Sequence, residues 1–449
     1  MSDTNGSSAN GASDTQAPST VADLLVQRLR QLGVTRVYGA ELPGLDHVPV
    51  GDPDVAVLLA DADGRIGHVD GSGRLGAATL AGPILHLSSS PGGTAPLQTI
   101  GSADELVDAL ADPPGLTLPG TLALHLDLDL SEPLTHTPVP SAPTDRSPVL
   151  TLDPGLDGLR ILALVGPGVV RSGTMADLRT FSRAADAPVL ATWGAIGLER
   201  WDSPFHAGVG GLQELDLALG GLDDVDIVVA TGLDPDEVPP GRLVHLVLQE
   251  VPPRQLAALC AGWPTRRGSS AAERPSVRDS LAPVLTRLWE SDSAPLTGAR
   301  AALHLSGALP ERGITVADPG PAGFWVARAL PTSSPGSVCV PATVEPGFAA
   351  AAALVAALDG RPCLAVTDAA GAETDATAAV IDLARVIKVP IALQVWGDGG
   401  SLADASAHVE LLDRHLRTPE VRLDPVPVDL SLPDELIDVA GPVVAWRPK

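Results

Sequence analysis

The stretch ILALVGPG, residues 161–168, decides the fold, because five apolar residues run directly into a Gly-Pro-Gly turn. Helical periodicity follows over Met175–Ala185, so the pattern predicts a strand, a turn and a helix. Further strands are predicted at Pro188–Thr192 and Asp226–Thr231, with a helix near Leu212–Leu219 between them. Strands with so little alternation are typical of a parallel sheet covered on both faces. We therefore expect a doubly wound α/β unit here.

Downstream of this unit the same rhythm returns. Strands are predicted at Ile314–Ala317, Cys363–Thr367 and Ile391–Val395, and helices at Phe348–Leu358 and Ala376–Val386. The final 45 residues are rich in Pro and Asp with weak strand signals, which indicates an irregular extension.

Upstream, a third unit begins with a helix at Val21 and a short strand at Val34–Tyr38. Val55–Leu59 then has the composition of a strand, and Asp63-Gly64 is a strong hairpin signal. We therefore expect a β-hairpin near 55–70, where a regular α/β unit would insert a helix. The remaining elements of this unit are predicted at Ile84–Leu87, Ala103–Leu110 and Thr121–Leu126.

The predicted fold is α/β, with three doubly wound parallel-sheet domains. Composition shifts and Pro-rich stretches set the boundaries. These are a disordered tail at 1–19, a first domain at 20–132, a Pro-rich linker at 133–158, a central domain at 159–264, a linker and helix at 265–299, and a third domain with its irregular extension at 300–449.

The charge balance excludes several classes of partner. The chain has 449 residues, with 55 acidic and 29 basic side chains and a formal net charge of -26. Such acidity repels phosphate backbones and anionic lipids, so we expect neither nucleic acids nor membranes as partners. Lys388 and Lys449 are the only lysines, and neither stands in a Walker A loop or in a setting for pyridoxal chemistry.

The location is predicted from the cysteines and the apolar runs. Cys260, Cys339 and Cys363 are far apart and form no C-x-x-C pair, so three thiols in a reducing compartment are expected. The longest apolar run, Phe348–Leu358, is shorter than the ~20 residues that span a bilayer. We expect a soluble cytoplasmic protein.

Two aspartates are the best candidates for a metal site. Asp368 follows one apolar strand and Asp398 follows the next, thirty residues later. Ligands of doubly wound sheets bind at the carboxyl ends of the strands, and Mg²⁺ prefers a few carboxylates with phosphate and water. The alternative is two ordinary surface aspartates in an acidic chain.

Other motifs have a functional and a structural interpretation side by side. The turn Gly166–Gly168 suits a nucleotide phosphate or a plain strand-to-helix connection, and the Rossmann pattern fails at Arg171. Three further groups favour the structural interpretation. They are a backbone nest at Ser88–Gly93, a shared strand face at His125, Asp127 and Asp129, and a calcium-like pair at Asp61 and Asp63.

The order of the units resembles the thiamine-diphosphate-dependent enzymes of the acetolactate synthase, pyruvate oxidase and 2-oxo-acid decarboxylase type. The most specific stretches are LALVGPGVVRSG, APVLATWGAIGLE and DIVVATGLDPDE in the central part, and PGFAAAAALVAALDGRPCLAVTD in the third. The resemblance implies thiamine diphosphate and Mg²⁺ as cofactors, a 2-oxo acid as substrate, and a site shared between subunits of a homodimer or higher homo-oligomer. It places the cofactor contacts on Gly347, Thr367, Asp368, Ala369 and Gly399, and the metal on Asp368 and Asp398.

The chain departs from the family at the parts that do the chemistry. Thr367-Asp368-Ala369 replaces the Gly-Asp-Gly opening of the magnesium motif, and Gly397-Asp398 replaces its closing asparagines. Pro346, beside the charged Glu345, stands where the family has a bulky apolar residue. No glutamate lies between residues 41 and 105, where the family has its catalytic glutamate on a helix after the second strand. We assign no catalytic residue.

Three functional hypotheses follow. The first is a thiamine-diphosphate-binding protein that decarboxylates or ligates a 2-oxo acid. The second is a catalytically degenerate relative that serves as a structural or regulatory partner. The third keeps only the central domain active, with a flavin such as FAD or a nicotinamide nucleotide at Gly166–Gly168.

Overall fold

A computed structural model of the chain describes twelve segments, which together hold three β-sheets flanked by helices. The predicted α/β class is confirmed. The proposed tail up to residue 17 and most of the Pro-rich linker, 140–158, lie outside the described residues, and the domain boundaries stay a prediction. The described residues are 18–67, 73–80, 83–88, 97–111, 121–136, 138–139, 159–234, 237, 248–262, 274–343, 345–417 and 419–446.

The first sheet is mixed, with strand order β2-β1-β3-β4-β6-β5. Strand β4 runs antiparallel to β3 and to β6, so the prediction of a parallel sheet is wrong for this unit. The cause is a direct β3–β4 hairpin, where a parallel pair would need a crossover helix. Its elements are α1 (Val21–Gln31), β1 (Arg36–Gly39), β2 (Asp46–Pro49), α2 (Pro53–Ile66), β3 (Gly76–Leu80), β4 (Ile84–Ser88), β5 (Leu97–Ile100), α3 (Ala103–Ala109) and β6 (Thr121–Leu126).

Helix α2 replaces the predicted β-hairpin near 55–70, and that prediction is wrong. Asp52 caps the helix by accepting the N–H groups of Asp54 and Val55 at 2.9 and 3.4 Å, and Pro53 takes the first helical position. From Val55 to Ile66 every residue except Val57 is buried. A helix buried around its circumference has no polar face, so its period is hidden in the sequence.

The second sheet is parallel throughout, with strand order β11-β10-β7-β8-β9, as predicted for a doubly wound unit. The helix predicted near Leu212–Leu219 forms only over its last four residues. The elements are β7 (Ile161–Val165), α4 (Gly168–Arg171), α5 (Met175–Ala185), β8 (Val189–Thr192), β9 (His206–Gly210), α6 (Asp216–Leu219), β10 (Ile227–Thr231), β11 (Leu248–Glu250) and α7 (Leu256–Gly262).

The third sheet is also parallel, with strand order β12-β17-β16-β15-β13-β14. Its elements are α8 (Val277–Trp289), β12 (Leu296–Thr297), α9 (Gly298–Ala308), β13 (Ile314–Ala317), α10 (Pro321–Ala329), β14 (Val338–Cys339), α11 (Phe348–Leu358), β15 (Cys363–Asp368), α12 (Ala369–Ala372), α13 (Asp375–Ile387), β16 (Ala392–Gly397), α14 (Ala405–Arg417), β17 (Arg422–Asp429) and α15 (Asp434–Ala440).

The C-terminal region is regular, so the predicted irregular extension is wrong. Strand β17 pairs with β16 over six residues, in spite of Pro425 and Pro427. These prolines lie two residues apart, so both missing N–H groups point to the same side of the strand. The opposite side stays free to pair with β16.

Helices α2 and α11 join the first and third sheets through one hydrophobic core. The core contains Leu59 and Ala62 of α2 together with Leu354 and Val355 of α11. Residues Phe348–Ala356 of α11 are buried on all sides. Among the helices of the described segments, none combines the length and apolar character needed to cross a membrane.

Candidate functional site

The N-terminus of α11 is bound by a carboxylate from the chain itself. Asp318 follows β13, and its Oδ1 accepts the N–H of Ala349, in the first turn of α11, at 2.7 Å. Its Oδ2 accepts the Thr367 hydroxyl at 2.5 Å. Burial raises the pKa of Asp318 to about 6, although both hydrogen bonds oppose the rise. A helix N-terminus ordinarily attracts an external anion, and here Asp318 takes that place.

Asp368 is used in the same internal way. It ends β15 and caps α12, because its Oδ1 accepts the N–H of Gly371 at 2.9 Å. A side chain at Gly371 would put Cβ 2.2 Å from Thr367 Oγ1, so the turn is closely packed. Thr367 is buried, whereas Ala369 is exposed at the start of α12. The predicted magnesium ligand therefore stabilises its own turn.

Asp398 lies at the same edge of the third sheet. Asp368 on β15 is paired in register with Trp396 on β16, and Asp398 follows two residues later. Asp398 and Gly399 are both exposed. The structure thus brings the two predicted ligands to neighbouring strand ends. Within the described segments there is no group of three His, Cys, Asp or Glu side chains that can hold a metal, and magnesium stays a prediction.

Gly347 stands at the same edge, as the cap residue of α11. Its φ of 83° lies in the left-handed region, and a Cβ would come within 3.0 Å of the Thr377 backbone nitrogen. Helix packing and backbone conformation therefore account for this glycine. Its predicted cofactor contact stays a prediction.

The side chains at this edge of the third sheet, where Asp368 and Asp398 lie, are not arranged to bind a magnesium diphosphate. The Ala349 N–H is bound by Asp318, and the Asp368 carboxylate is bound in its own turn. Residues 340–350 contain no arginine or lysine, and Glu345 adds a further acid. A diphosphate would face carboxylates without a partner cation from this segment. We therefore derive no catalytic step through the cofactor.

Acidic groups also meet where α2 contacts the start of α11. We call Asp61, Arg65, His86 and Glu345 the N-terminal junction. Arg65 Nε lies 3.8 Å from Glu345 Oε2, and His86 Nε2 lies 4.0 Å from Asp61 Oδ1. The Asp61 and Glu345 carboxyl groups are within hydrogen-bond reach of each other. Burial raises the pKa of Glu345 to about 8, with Asp61 adding to the rise and Arg65 opposing it.

A second polar cluster lies at the other end of α11. We call Arg36, Tyr38, Asp63, Arg74 and Asp359 the C-terminal junction. Asp359 caps α11 and accepts from Arg36 Nη1 at 3.0 Å and Arg74 Nη2 at 2.9 Å. Arg74 also contacts Asp63, which accepts the Tyr38 hydroxyl at 2.9 Å. Burial works against ionisation of Asp359, but the arginines outweigh it and lower the pKa of this carboxyl.

The Gly166–Gly168 turn binds the neighbouring strand end. The N–H groups of Gly166 and Gly168 donate to the carbonyls of Thr231 and Gly232, both at 2.9 Å. A Cβ on Gly166 would lie 2.2 Å from the Gly232 oxygen. These contacts favour the structural interpretation of the turn.

Two further acidic side chains in the central unit also have hydrogen-bond partners within the chain. Arg171 binds Asp234 through two contacts of 3.0 and 2.6 Å. Glu237 accepts the N–H of Gly194 at 2.9 Å and that of Asp234 at 3.1 Å. Burial raises the pKa of Glu237 to about 8, and Asp234 adds to the rise.

The remaining sequence candidates have structural explanations or lie outside the described residues. Asp61 and Asp63 are buried on helix α2, so the calcium-loop interpretation is wrong. Asp127 and Asp129 are exposed beyond β6, where Asp129 accepts from Ser131. Residues 89–93 of the predicted nest lie outside the described residues.

Sequence reasoning missed the residues that shape the site. Asp318 follows the strand at Ile314–Ala317 as Asp368 follows its own, and that shared position was the available signal. Glu345 was noted for its charge alone, and no local pattern connects it with Asp61 or His86. These three side chains come from separate elements, so only the tertiary fold brings them together.

Comparison with known proteins shows what the chain is similar to. Residues 158–250 match the family model of the thiamine pyrophosphate enzyme central domain. The structure of a candidate thiamin diphosphate-dependent enzyme from Mycobacterium smegmatis matches at a TM-score of 0.61 and 15% identity, over 91% of this chain and 99% of that chain. The central part of the chain is thus similar to the central domain of thiamine pyrophosphate enzymes, and the chain shares the fold of the Mycobacterium smegmatis protein. No curated protein matches it.

This similarity draws attention to α2. This helix follows β2, the place where the resemblance implies a catalytic glutamate. Its acidic residues are all aspartates: Asp52 caps it, Asp54 is exposed, and Asp61 and Asp63 are buried in the two junctions. A helix therefore stands where the resemblance implies one, and no glutamate lies between residues 41 and 105 of the sequence.

Proposed function

We propose that this chain is a non-catalytic member of the thiamine-diphosphate enzyme superfamily that acts as a structural or regulatory partner. The observation that carries the proposal concerns the edge of the third sheet where the resemblance places the diphosphate, which we call the diphosphate edge. The groups at this edge are already bound within the chain. Asp318 binds the first turn of α11 at Ala349, and Asp368 binds its own turn at Gly371.

The energetics of this edge support the proposal. A diphosphate at α11 must displace the Asp318 carboxylate from two short hydrogen bonds, of 2.7 and 2.5 Å. Each hydrogen bond to a charged group contributes about 1.5–3 kcal/mol. The displaced carboxylate would then repel the incoming anion in a chain that already carries a net charge of -26.

The alternative function is binding of thiamine diphosphate with Mg²⁺, followed by decarboxylation or carboligation of a 2-oxo acid as in acetolactate synthase. The arrangement of Asp368 and Asp398 at neighbouring strand ends favours it. This function requires Asp368 to release Gly371 and turn toward the metal. Flavin or nicotinamide binding at Gly166–Gly168 has less support, because the turn's N–H groups already donate within the chain.

Isothermal titration calorimetry distinguishes the two functions. Purified protein is titrated with thiamine diphosphate in the presence of Mg²⁺, up to millimolar ligand. We expect no saturable heat, because the edge is bound internally. A parallel assay of pyruvate decarboxylation is expected to show no release of carbon dioxide above that of a protein-free control.

A saturable heat would overturn the proposal in favour of the alternative. In that case Asp368→Ala should abolish the heat, and Asp413→Ala, on the exposed face of α14, is the matched control that should retain it. Circular dichroism of each variant checks that a lost heat does not reflect a lost fold.

The same proposal includes a homodimer in the cytoplasm, without nucleic-acid or membrane partners. It rests on the resemblance, which places the functional centre between subunits, and on the acidity of the chain. Sedimentation velocity at micromolar protein should give the mass of a dimer, about twice the 45.7 kDa of one chain. A monomer at all concentrations tested would remove the assembly from the proposal.

A further inference from the structure

The N-terminal junction contains buried polar atoms that the described residues leave without hydrogen bonds. These atoms are Asp61 Oδ1, His86 Nε2 and Glu345 Oε2. Their residues are only 2%, 8% and 8% exposed. A buried polar atom without a partner is costly, so this contact between α2 and α11 is held at an energetic cost.

Two acids and one arginine act on the charge of Glu345. Helix α2 presents Asp61 and Arg65, strand β4 presents His86, and the turn after β13 presents Asp318. From β14 comes the Cys339 thiol, whose pKa burial raises to about 11, so it stays neutral.

Two cations lie near these acids, and both have other contacts. Arg65 lies over the Phe348 ring at 5.9 Å to the centroid, beside Glu345. Arg361, near Cys339, donates to the backbone carbonyls of Arg312, Ile66 and Gly336. Arg65 therefore faces the carboxyl group of Glu345, and the His86 ring faces that of Asp61.

Two buried carboxyl groups within hydrogen-bond reach cannot both carry a full negative charge at low cost. If one of them is protonated, it donates to the other, and the pair then carries a single charge opposite Arg65. Burial, which raises the pKa of Glu345 to about 8, acts in the same direction.

We propose that the Asp61–Glu345 carboxyl pair is a proton-operated lock between α2 and α11, in which one shared proton holds the two helices together. Loss of the proton leaves two adjacent charges in the core and loosens the contact. This inference is independent of whether thiamine diphosphate binds.

The expected pH dependence follows from proton linkage. In an opened junction Glu345 is in water and ionises near 4.5, whereas in the closed junction it ionises near 8. The closed form thus holds one proton more between these values. The opening equilibrium constant should rise about tenfold per pH unit from about 4.5 to about 8, and it should level off above that.

Opening would act directly on the diphosphate edge. Glu345 stands two residues before the α11 cap Gly347, and its carbonyl accepts the N–H of Phe348 at 3.3 Å. Loosening the junction therefore frees the first turn of α11, where Asp318 binds Ala349. Near-neutral and alkaline pH would favour an accessible edge, and acidic pH a closed one.

Native-state hydrogen exchange of the full chain tests the lock. Exchange of the α2 and α11 amides is measured between pH 5 and 9, and each rate is corrected for its intrinsic pH dependence. In the wild type we expect opening to increase about tenfold per unit up to about pH 8. Glu345→Gln keeps a donor for Asp61 but cannot ionise, so its opening should stay at the low-pH value of the wild type.

Glu311→Gln is the matched control, because Glu311 is exposed and is not one of the junction residues. It should keep the wild-type pH dependence. Asp61→Asn provides a second variant if Glu345→Gln does not fold. Its amide can donate to ionised Glu345, so the pH dependence should become weaker.

Two results would overturn the proposal. One is a wild type whose corrected opening does not change between pH 5 and 8. The other is a Glu345→Gln or Asp61→Asn variant with the full wild-type slope. Either would show that the proton on this pair does not control the contact.

Discussion

The two ends of α11 are both joined to the first sheet by buried charged side chains. These buried charges are stabilised in a different way at each end. At the C-terminal junction, Arg36 and Arg74 face Asp63 and Asp359. At the N-terminal junction, one arginine, Arg65, faces Glu345, and His86 faces Asp61. The helix dipole favours the two arginines near its C-terminus and the acids near its N-terminus, whereas it disfavours the charge of Asp359 at the C-cap.

The difference indicates that the number of arginines at each carboxyl decides its response to pH. Asp359 has two arginines, and they lower its pKa, so that the charge persists through neutral pH. Asp63 shares Arg74 with Asp359, and burial raises the pKa of this carboxyl in spite of Arg74. Where acids are in excess, as at Glu345, burial raises the pKa and a proton supplies the missing positive charge. The ion pairs of Asp359 are a permanent connection, whereas the contact at Glu345 responds to protons.

Substitution of Arg74 is the most direct test of whether the C-terminal junction stabilises the fold. Arg74→Ala leaves Asp63 buried with only the Tyr38 hydroxyl and Arg36 nearby, and it removes one of the two arginines from Asp359. Breaking a buried ion pair on one side typically costs 3–5 kcal/mol. We expect the free energy of unfolding, from urea titration at pH 7, to fall by about 3–5 kcal/mol.

The matched control is Arg417→Ala, which removes the arginine of the exposed Asp413–Arg417 pair on α14. It should leave the urea midpoint within experimental error. A loss for Arg74→Ala no larger than for this control would mean that the C-terminal junction does not hold the two sheets together.

Much of the second and third sheets could be predicted from the sequence. Strands β7, β10, β13 and β15 lie within a residue or two of their predicted positions. They are parallel and buried on both faces, so they appear as continuous apolar runs between glycines and helices. Such apolar runs indicate a buried parallel strand even when the neighbouring strands are not known.

Helix α2 and strand β17 could not be predicted in this way, because tertiary contacts determine them. The Val-rich start of α2 favours a strand locally, and only burial between β3 and α11 makes the helix preferable. The prolines of β17 argue against a strand until β16 supplies a partner on one side. Local propensity is overridden in both places.

The candidate site was predictable only in part, for a related reason. Asp368 and Asp398 each follow a strand, so their common edge could be predicted from topology. The contacts of Asp318 and of Glu345 could not. Asp318 lies 49 residues before Thr367, whose hydroxyl it accepts, and Asp61 lies far before Glu345, so no sequence window contains either relation.

A smaller loss of stability is expected when the charge of Asp359, at the C-terminal end of α11, is removed. Asp359→Asn keeps the shape of the C-cap side chain and removes its charge, while Arg74 retains Asp63 as a partner. Hydrogen bonds to a charged group contribute about 1.5–3 kcal/mol. We expect unfolding at pH 7 to become easier by about 2 kcal/mol in urea titration, less than for Arg74→Ala.

The pH profile of that loss is the decisive readout, because the two junction acids shift in opposite directions. The folded pKa of Asp359 lies below its unfolded value of 3.8, so its stabilisation is fully present above about pH 5 and disappears as the pH falls through the folded pKa. The difference between wild type and Asp359→Asn should therefore be constant from pH 5 to 8. The difference between wild type and Glu345→Gln should change steadily over the same interval, because the folded pKa of Glu345 lies near 8. If both differences changed with the same slope, the count of arginines at each end of α11 would not be what separates a permanent connection from a proton-dependent one.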